Sequence, residues 1–371
     1  VFKNLAEGFA KQGHEVDIIT RKLKNTKKFE IMNEVKIHRV NSFNNRYLFT
    51  FCSIHKTLKL ARNADVIQTT TFNGAPPAWL AGIIRRKPVV ITVLEVWANK
   101  WKEVTDLNKF SCIIHDCLEK MIYKLNFDKY ICISDATKGD LVKLKIKEIK
   151  ATTIYPGLNY HFWDPNNFNR NKTRERLKLG NNFVYFSWGR PGTSKGFEYL
   201  IKAVPKISKK IKTSKFLFML SGKDKYPKKY KNLVQLINRL NLQDNVILLN
   251  PAPYTELGDY ILAADCVVIP SIAEGFGYTT AESCAMNVPV VASNIGSIPE
   301  VISNKHILVK AKSPQSIAEG VETVYLNKNV NNTKLKKFYW DNAITEYIRE
   351  YKSTIERYKL RLKRKNIKEN K

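Results

Sequence analysis

Residues 270–300 read PSIAEGFGYTTAESCAMNVPVVASNIGSIPE. The run opens as the end of an apolar strand, passes a Gly-Phe-Gly turn, becomes a short helix and leads at once into a second buried-looking strand, VPVVASN. That layout belongs to phosphate and nucleotide sites of α/β proteins, where ligands bind beyond the carboxyl edge of a parallel sheet. Ser271 to Gly277 fall at that edge. Gly275 and Gly277 let the backbone approach an anion or take positive φ. Thr279 or Thr280 is expected to cap the next helix, whose free N–H groups favour phosphate. A carboxylate repels phosphate, so Glu274 and Glu282 make better sense as acceptors for hydroxyl groups, one from a sugar and one from a ribose. Each has an ordinary reading when taken alone: Glu282 favours a helix N-terminus, and Glu274 is a solvated loop residue. The glycines and the strand that follows favour the site.

Apolar, β-branched runs alternate with helical patterns along nearly the whole chain. EVDIIT, ADVIQTT, KPVVITVL, KYICIS and ATTIYPG make a first group; FVYFSWG, KFLFMLSG, NVILLNP, DCVVIPS and VPVVASN make a second. Short continuous apolar runs separated by helix-length segments indicate parallel sheets buried on both faces. Ten strands are too many for one comfortable Rossmann sheet. Between the groups, GLNYHFWDPNNFNRNKTRERLKLGNN is polar and carries no strand pattern, which places a domain junction near Trp163 to Asn171. Two doubly wound domains facing a cleft are expected: residues 1–165 on the acceptor side and 166–332 for a donor nucleotide. After HILVK only helix is expected, and Trp340, Ile344, Tyr347, Ile348, Tyr351 and Ile355 recur at roughly helical spacing. Residues 333–371 are therefore read as a helical segment that must pack on something.

Composition narrows the class. A chain of 371 residues supports two cores, and 44% apolar content excludes wholesale disorder. No stretch approaches a membrane span, and no signal peptide is visible. Cys52, Cys112, Cys117, Cys132, Cys266 and Cys284 show no zinc spacing and read as reduced, mostly buried thiols of a cytoplasmic protein. The chain starts at Val1 with what reads as a helix, so a first strand is expected to be missing. The net charge of +30 permits nucleic acid, an anionic membrane surface or anionic substrates. The tail from Tyr351 to Lys371 holds nine basic residues against two acidic, which suits a solvated helix end or membrane contact.

A second strand-to-loop-to-helix unit precedes the first. FVYFSWG ends in Gly189, and the loop carries Arg190 and Lys195 before a helix. Two cations at the carboxyl end of a strand suit a diphosphate, where they neutralise charge on a leaving group. In so basic a chain a given Arg or Lys is usually a surface charge; the bracketing by Gly189-Arg190 and Lys195-Gly196 is the specific feature.

Taken together, GR…KG, then LSG with Gly222, then PS-x-x-EGFG with the second glutamate eight positions after the first, resemble the family 4 retaining glycosyltransferases of the GT-B fold. KQGHEVDIITR, ICIS with Ser134, YPGLNYHFW and the Trp340 region extend the resemblance over nearly the whole chain. It implies two Rossmann-like domains with a C-terminal helix crossing back to the first. It also implies that Arg190 and Lys195 hold the donor diphosphate, Glu282 the ribose hydroxyls and Glu274 the donor sugar. Gly189, Gly222 and the backbone of Gly275, Phe276, Gly277, Tyr278 and Thr279 would line the nucleotide sugar, and base contacts would come from around Val246 to Pro253. Such enzymes use no metal or cofactor, and no D-x-D motif is present. The chain departs from the family in three places. Asn287 replaces a glycine, which its tolerance of the left-handed region makes mild. Asn159 replaces a common aspartate. Leu94 stands where a histidine is usual, followed by Glu95, which is either an acceptor-side base or an ordinary strand-end residue. His14 and His115 are read as structural.

The expected function is transfer of a hexose from a nucleotide diphosphate sugar to a hydroxyl acceptor, in lipid-linked glycan, polysaccharide or glycolipid synthesis. The basic surface fits an acceptor on the cytoplasmic leaflet, with Lys100, Trp101 and Lys102 as candidate contacts in the first domain. A nucleotide-sugar epimerase on the same fold would need more acid/base residues in the cleft. A nucleic-acid-binding protein is suggested by charge alone, without a recognition motif. A non-catalytic relative that keeps the donor site is a third alternative.

Overall fold

The computed structural model of the chain describes residues 1–369; the last two residues of the basic tail, Asn370 and Lys371, lie outside the described residues. Two compact units emerge. Among the described residues, one comprises 1–99, 110–157 and 338–369; the other comprises residues 100–109 and 158–337.

The second unit is built on seven strands: β8 (Phe183–Gly189), β9 (Ser214–Leu220), β10 (Val246–Leu249), β11 (Cys266–Ile269), β12 (Val290–Ser293), β13 (Asn304–Val309) and β14 (Asn331–Thr333). Their order is β10-β9-β8-β11-β12-β13-β14. All neighbours are parallel except β13 and β14. Numbered within the unit, its six parallel strands run 3-2-1-4-5-6, the dinucleotide-fold order, whose direction reverses between β8 and β11. Helices on both faces explain why β11 and β12 are buried at every residue. The helix Phe197–Lys210 buries Leu200, Ile201, Val204 and Ile207 in a core shared with Phe216 and Phe218. Tyr185 stacks on Phe216 at 5.1 Å. Strand β14 corrects the expectation that only helix follows HILVK. Two of its three residues, Asn331 and Asn332, have little intrinsic strand preference, and the strand pairs with β13.

Residues 100–109 also belong to this unit. The short helix Trp101–Val104 buries Trp101, which is 7% exposed. Glu103 pairs with Lys312 at 2.8 Å, and Asp106 with Lys229 at 3.1 Å. The expectation that Trp101 offers an aromatic contact to a membrane from the first domain is therefore overturned: the ring is packed inside the second unit.

The first unit, the other Rossmann-like α/β domain, carries its strands in two sheets. Strands β1 (Asp17–Arg21), β2 (Phe29–Met32) and β3 (Val35–Val40) form one, in the order β1-β3-β2, with β2 antiparallel. Strands β4 (Ile67–Thr70), β5 (Val89–Val93), β6 (Lys129–Cys132) and β7 (Ala151–Thr153) form the other, all parallel. The C-terminal helix, Trp340–Glu369, packs Ala343, Ile344 and Tyr347 against Leu5 and Phe9 of the helix Phe2–Lys11. Gly8 makes that approach possible, because a Cβ there would lie 2.1 Å from Ile344 Cδ1. The Tyr347 hydroxyl lies 3.2 Å from Thr92 Oγ1 on β5. Lys129, buried in β6, pairs with Glu350 of this helix at 3.0 Å.

Candidate active site

The two motif loops leave the carboxyl ends of β8 and β11, the strands that flank the reversal of the sheet. They are stitched together by backbone. Ser194 carbonyl oxygen accepts from Ile272 N at 2.7 Å and from Ala273 N at 3.3 Å. Gly196 has φ +63°, and a Cβ there would lie 2.1 Å from Pro270 O, so only glycine admits this contact.

The side chains meet across the same seam. Lys195 Nζ donates to Glu274 Oε2 at 2.8 Å, and Ser271 Oγ donates to the same oxygen at 3.2 Å. Ser297 braces the loop from behind, donating its N–H and Oγ to Glu274 O at 3.3 and 3.2 Å. Arg190 is exposed beside Gly222, whose Cβ position lies 3.9 Å from Arg190 Cγ. Ser221 N donates to Gly189 O at 3.0 Å, tying the end of β9 to that of β8. Thr279 joins Ser187, Trp188, Lys195, Phe197 and Ser271 around a small cavity.

The helix Tyr278–Ala285 begins at Gly277, which takes φ +87°. No side chain caps it, which corrects the expectation for Thr279 and Thr280; both already lie within the first turn. Thr280 and Ala281 donate their N–H groups to Gly277 O at 2.9 and 3.1 Å, so the first turn closes on the glycine itself. Phe276 is 2% exposed, so its side chain anchors the turn. Asn287 follows the helix at φ +55°, in the left-handed conformation expected of it.

Glu282 lies inside the helix and is 6% exposed. Burial pushes its carboxyl up to about 8, with Glu274 adding to the rise and the Tyr254 hydrogen bond and Lys195 opposing it. Tyr254 Oη donates to Glu282 Oε1 at 3.2 Å and accepts from Trp163 Nε1 at 3.1 Å. Neither Tyr254 nor Trp163 was singled out from the sequence. The expected base-contacting region ends at Pro253, the residue before Tyr254, and Trp163 was read as the start of the domain junction and the end of the YPGLNYHFW segment. An aromatic cluster, Phe162, Trp163, Phe168 and Tyr254, joins these segments in space.

The other singled-out residues are placed as follows. Glu95 lies in the first unit, two residues beyond β5, and is half-buried. His115 sits on the helix Lys109–Lys124, with Nδ1 2.8 Å from Ser111 O and Nε2 3.1 Å from Tyr47 Oη, a structural setting. Cys132, Cys266 and Cys284 are buried, and no disulfide joins any of the six cysteines. Among the described residues, no group of three or more His, Cys, Asp or Glu could hold a metal ion.

Two cations, a helix N-terminus and a buried carboxyl gather at the switch point of a Rossmann sheet, and the chain is a glycosyltransferase of the GT-B fold. Residues 169–338 match the family Glycosyl transferases group 1, and residues 1–162 match Glycosyltransferase Family 4. An uncharacterised glycosyltransferase of Methanocaldococcus jannaschii is 28% identical over 95% of this chain and 93% of its own. A subunit of phosphatidylinositol N-acetylglucosaminyltransferase from Saccharomyces cerevisiae is 22% identical, covering 90% of this chain and 72% of that protein. The crystal structure of Anabaena HepE in complex with UDP-glucose superposes with a TM-score of 0.65 at 20% identity, over 89% of this chain and 86% of that one.

Proposed function

We propose that the protein is a retaining hexosyltransferase that takes its sugar from a nucleoside diphosphate donor and passes it to a hydroxyl of a membrane-associated acceptor. The observation that carries this reading is the seam between the two motif loops, where Lys195, Glu274 and the start of the helix Tyr278–Ala285 converge within one unit. Arg190 and Lys195 bind the diphosphate and take up the charge that develops as the bond from the anomeric carbon to phosphate oxygen breaks. Glu282 accepts the ribose hydroxyls and Glu274 those of the donor sugar. The diphosphate competes with Glu274 for Lys195, so donor binding releases the Glu274 carboxylate towards the sugar. The acceptor oxygen attacks from the face the leaving group departs, and its proton passes to a leaving phosphate oxygen, so no covalent sugar–enzyme bond is needed. Glu95 is the candidate on the acceptor side.

The UDP-glucose complex of the Anabaena relative supports a hexose donor of this kind, and the phosphatidylinositol-directed relative supports a lipid acceptor. The surface of the first unit agrees. On the helix Lys109–Lys124, Phe110, Ile113, Ile114, Leu118 and Met121 form one exposed stripe, while Glu119 is buried opposite. Nearby Phe43, Leu48 and Phe51 are exposed too, and the Tyr47–His115 contact holds that segment beside the helix. Arg46, Lys109 and Lys124 are exposed in the same segments. Apolar side chains edged with cations suit an anionic bilayer surface. Among the described residues no helix is long and apolar enough to cross a membrane, so contact would be peripheral, on the cytoplasmic face. Incubation with a panel of nucleotide sugars and lipid-linked acceptors, followed by proton NMR of the anomeric region, tests the reading. A glycoside with the donor's own anomeric configuration is expected; an inverted product overturns the retaining step. An epimerised nucleotide sugar formed without acceptor identifies an epimerase instead.

A further inference from the structure

We infer that Tyr254 is a positioning residue of the nucleotide site: the chain Trp163 Nε1–H to Tyr254 Oη–H to Glu282 aims the Glu282 carboxyl and holds it as an acceptor for the ribose hydroxyls. This rests on the donor-site reading above and adds to it a residue outside the motifs.

Direction in the chain is fixed by chemistry. An indole nitrogen only donates, so the Tyr254 oxygen accepts from Trp163 and its own proton goes to Glu282. Burial and the neighbouring Glu282 hold the phenol above its ordinary range, so it keeps that proton wherever the protein is studied. The ring cannot wander: Phe162 stacks on it at 5.2 Å and 7°, and Trp163, 1% exposed, packs edge-on at 5.4 Å.

Three groups from three separate segments bear on Glu282. Lys195, in the loop after β8, favours the carboxylate, and Glu274, before the motif helix, disfavours it. Tyr254, at the start of the turn Tyr254–Glu256, donates to it directly. Because burial already pushes this carboxyl up to about 8, the ionised acceptor form is the minority at neutral pH, and a donor to it matters. Tyr254→Phe removes that donor while keeping the ring, and leaves the Trp163 N–H unpaired.

The test is calorimetric titration with UDP between pH 6 and pH 9. Wild type is expected to bind more tightly as pH rises through the Glu282 range. Tyr254→Phe should be weaker by about tenfold at pH 7, the size of one hydrogen bond to a charged group, and should recover towards wild type at the alkaline end. Unchanged affinity, or uniform weakening at every pH as a packing defect would give, overturns the inference. A second measurement needs no nucleotide. The Trp163 indole N–H resonance of the unliganded protein should titrate with Glu282 and stop titrating in Glu282→Gln. If wild type binds no UDP yet this titration is seen, the relay stands and the donor reading fails; if UDP binds but no titration is seen, the relay fails and the donor site stands.

Discussion

Glu282 is a carboxyl kept where it is costly to keep one. Its folded-state pKa is raised from 4.5 to about 8, mainly by burial. The folded protein therefore binds a proton more tightly than the unfolded chain across that interval, and stability falls as pH rises from 4.5 to about 8, then levels. Glu282→Gln is an uncharged isostere that removes this loss. We expect it to raise Tm at pH 8 by roughly 2–4 °C for each kcal/mol relieved, with no gain at pH 4, while weakening nucleotide binding. Thermal melts at the two pH values check the sign, and a variant less stable than wild type at pH 8 would contradict it. A stabilising substitution that damages binding is the mark of a residue held for function. Both glutamates were legible because their spacing around a glycine turn is a local pattern. Tyr254 and Trp163 were not, since the contacts that matter to them span 28 and 91 positions and leave no periodic trace.

Among elements, the buried strands announced themselves: β5, β6, β11 and β12 are buried at every residue and read as apolar runs. The pair β2 and β3 did not. FEIM is mostly exposed, and Lys36 and Arg39 of β3 pair with Glu15 and Glu30, so charge masks the alternation. The helix start at Gly277 was missed in detail because two threonines offered plausible caps, whereas the helix starts at the glycine without a side-chain cap. The C-terminal helix was legible as an amphipathic pattern, but its polar lock was not. Lys129 and Glu350 are 6% and 16% exposed at their side chains. Glu350→Ala would strand the ammonium and should destabilise the first unit by about 3–5 kcal/mol, whereas replacing both by apolar residues of similar volume should be near neutral. Urea unfolding of the single and double variants decides; equal losses in both would mean the helix docks by packing alone.

Taken as a whole, the molecule carries a charge of +30, and part of that charge accompanies an apolar face instead of a nucleic-acid motif. Phe51 and Phe110 are 70% and 72% exposed, so replacing both by Ser should leave the fold intact. Co-sedimentation should show wild type on phosphatidylglycerol vesicles and little on phosphatidylcholine, with binding weakened by salt and lost in the double variant. Equal retention of the double variant would assign the binding to charge elsewhere. One expected contact does not belong to that surface, because Trp101 is apolar in sequence and buried in space. The donor site remains the claim on which the rest depends. Calorimetric titration of the protein with UDP, GDP and ADP, alongside Lys195→Ala and Glu282→Ala, tests it most directly. One nucleoside diphosphate bound selectively, and weakened by about tenfold or more in each variant, is the predicted result. Binding of none of the three, with tight and salt-sensitive binding of DNA or RNA in its place, would contradict it.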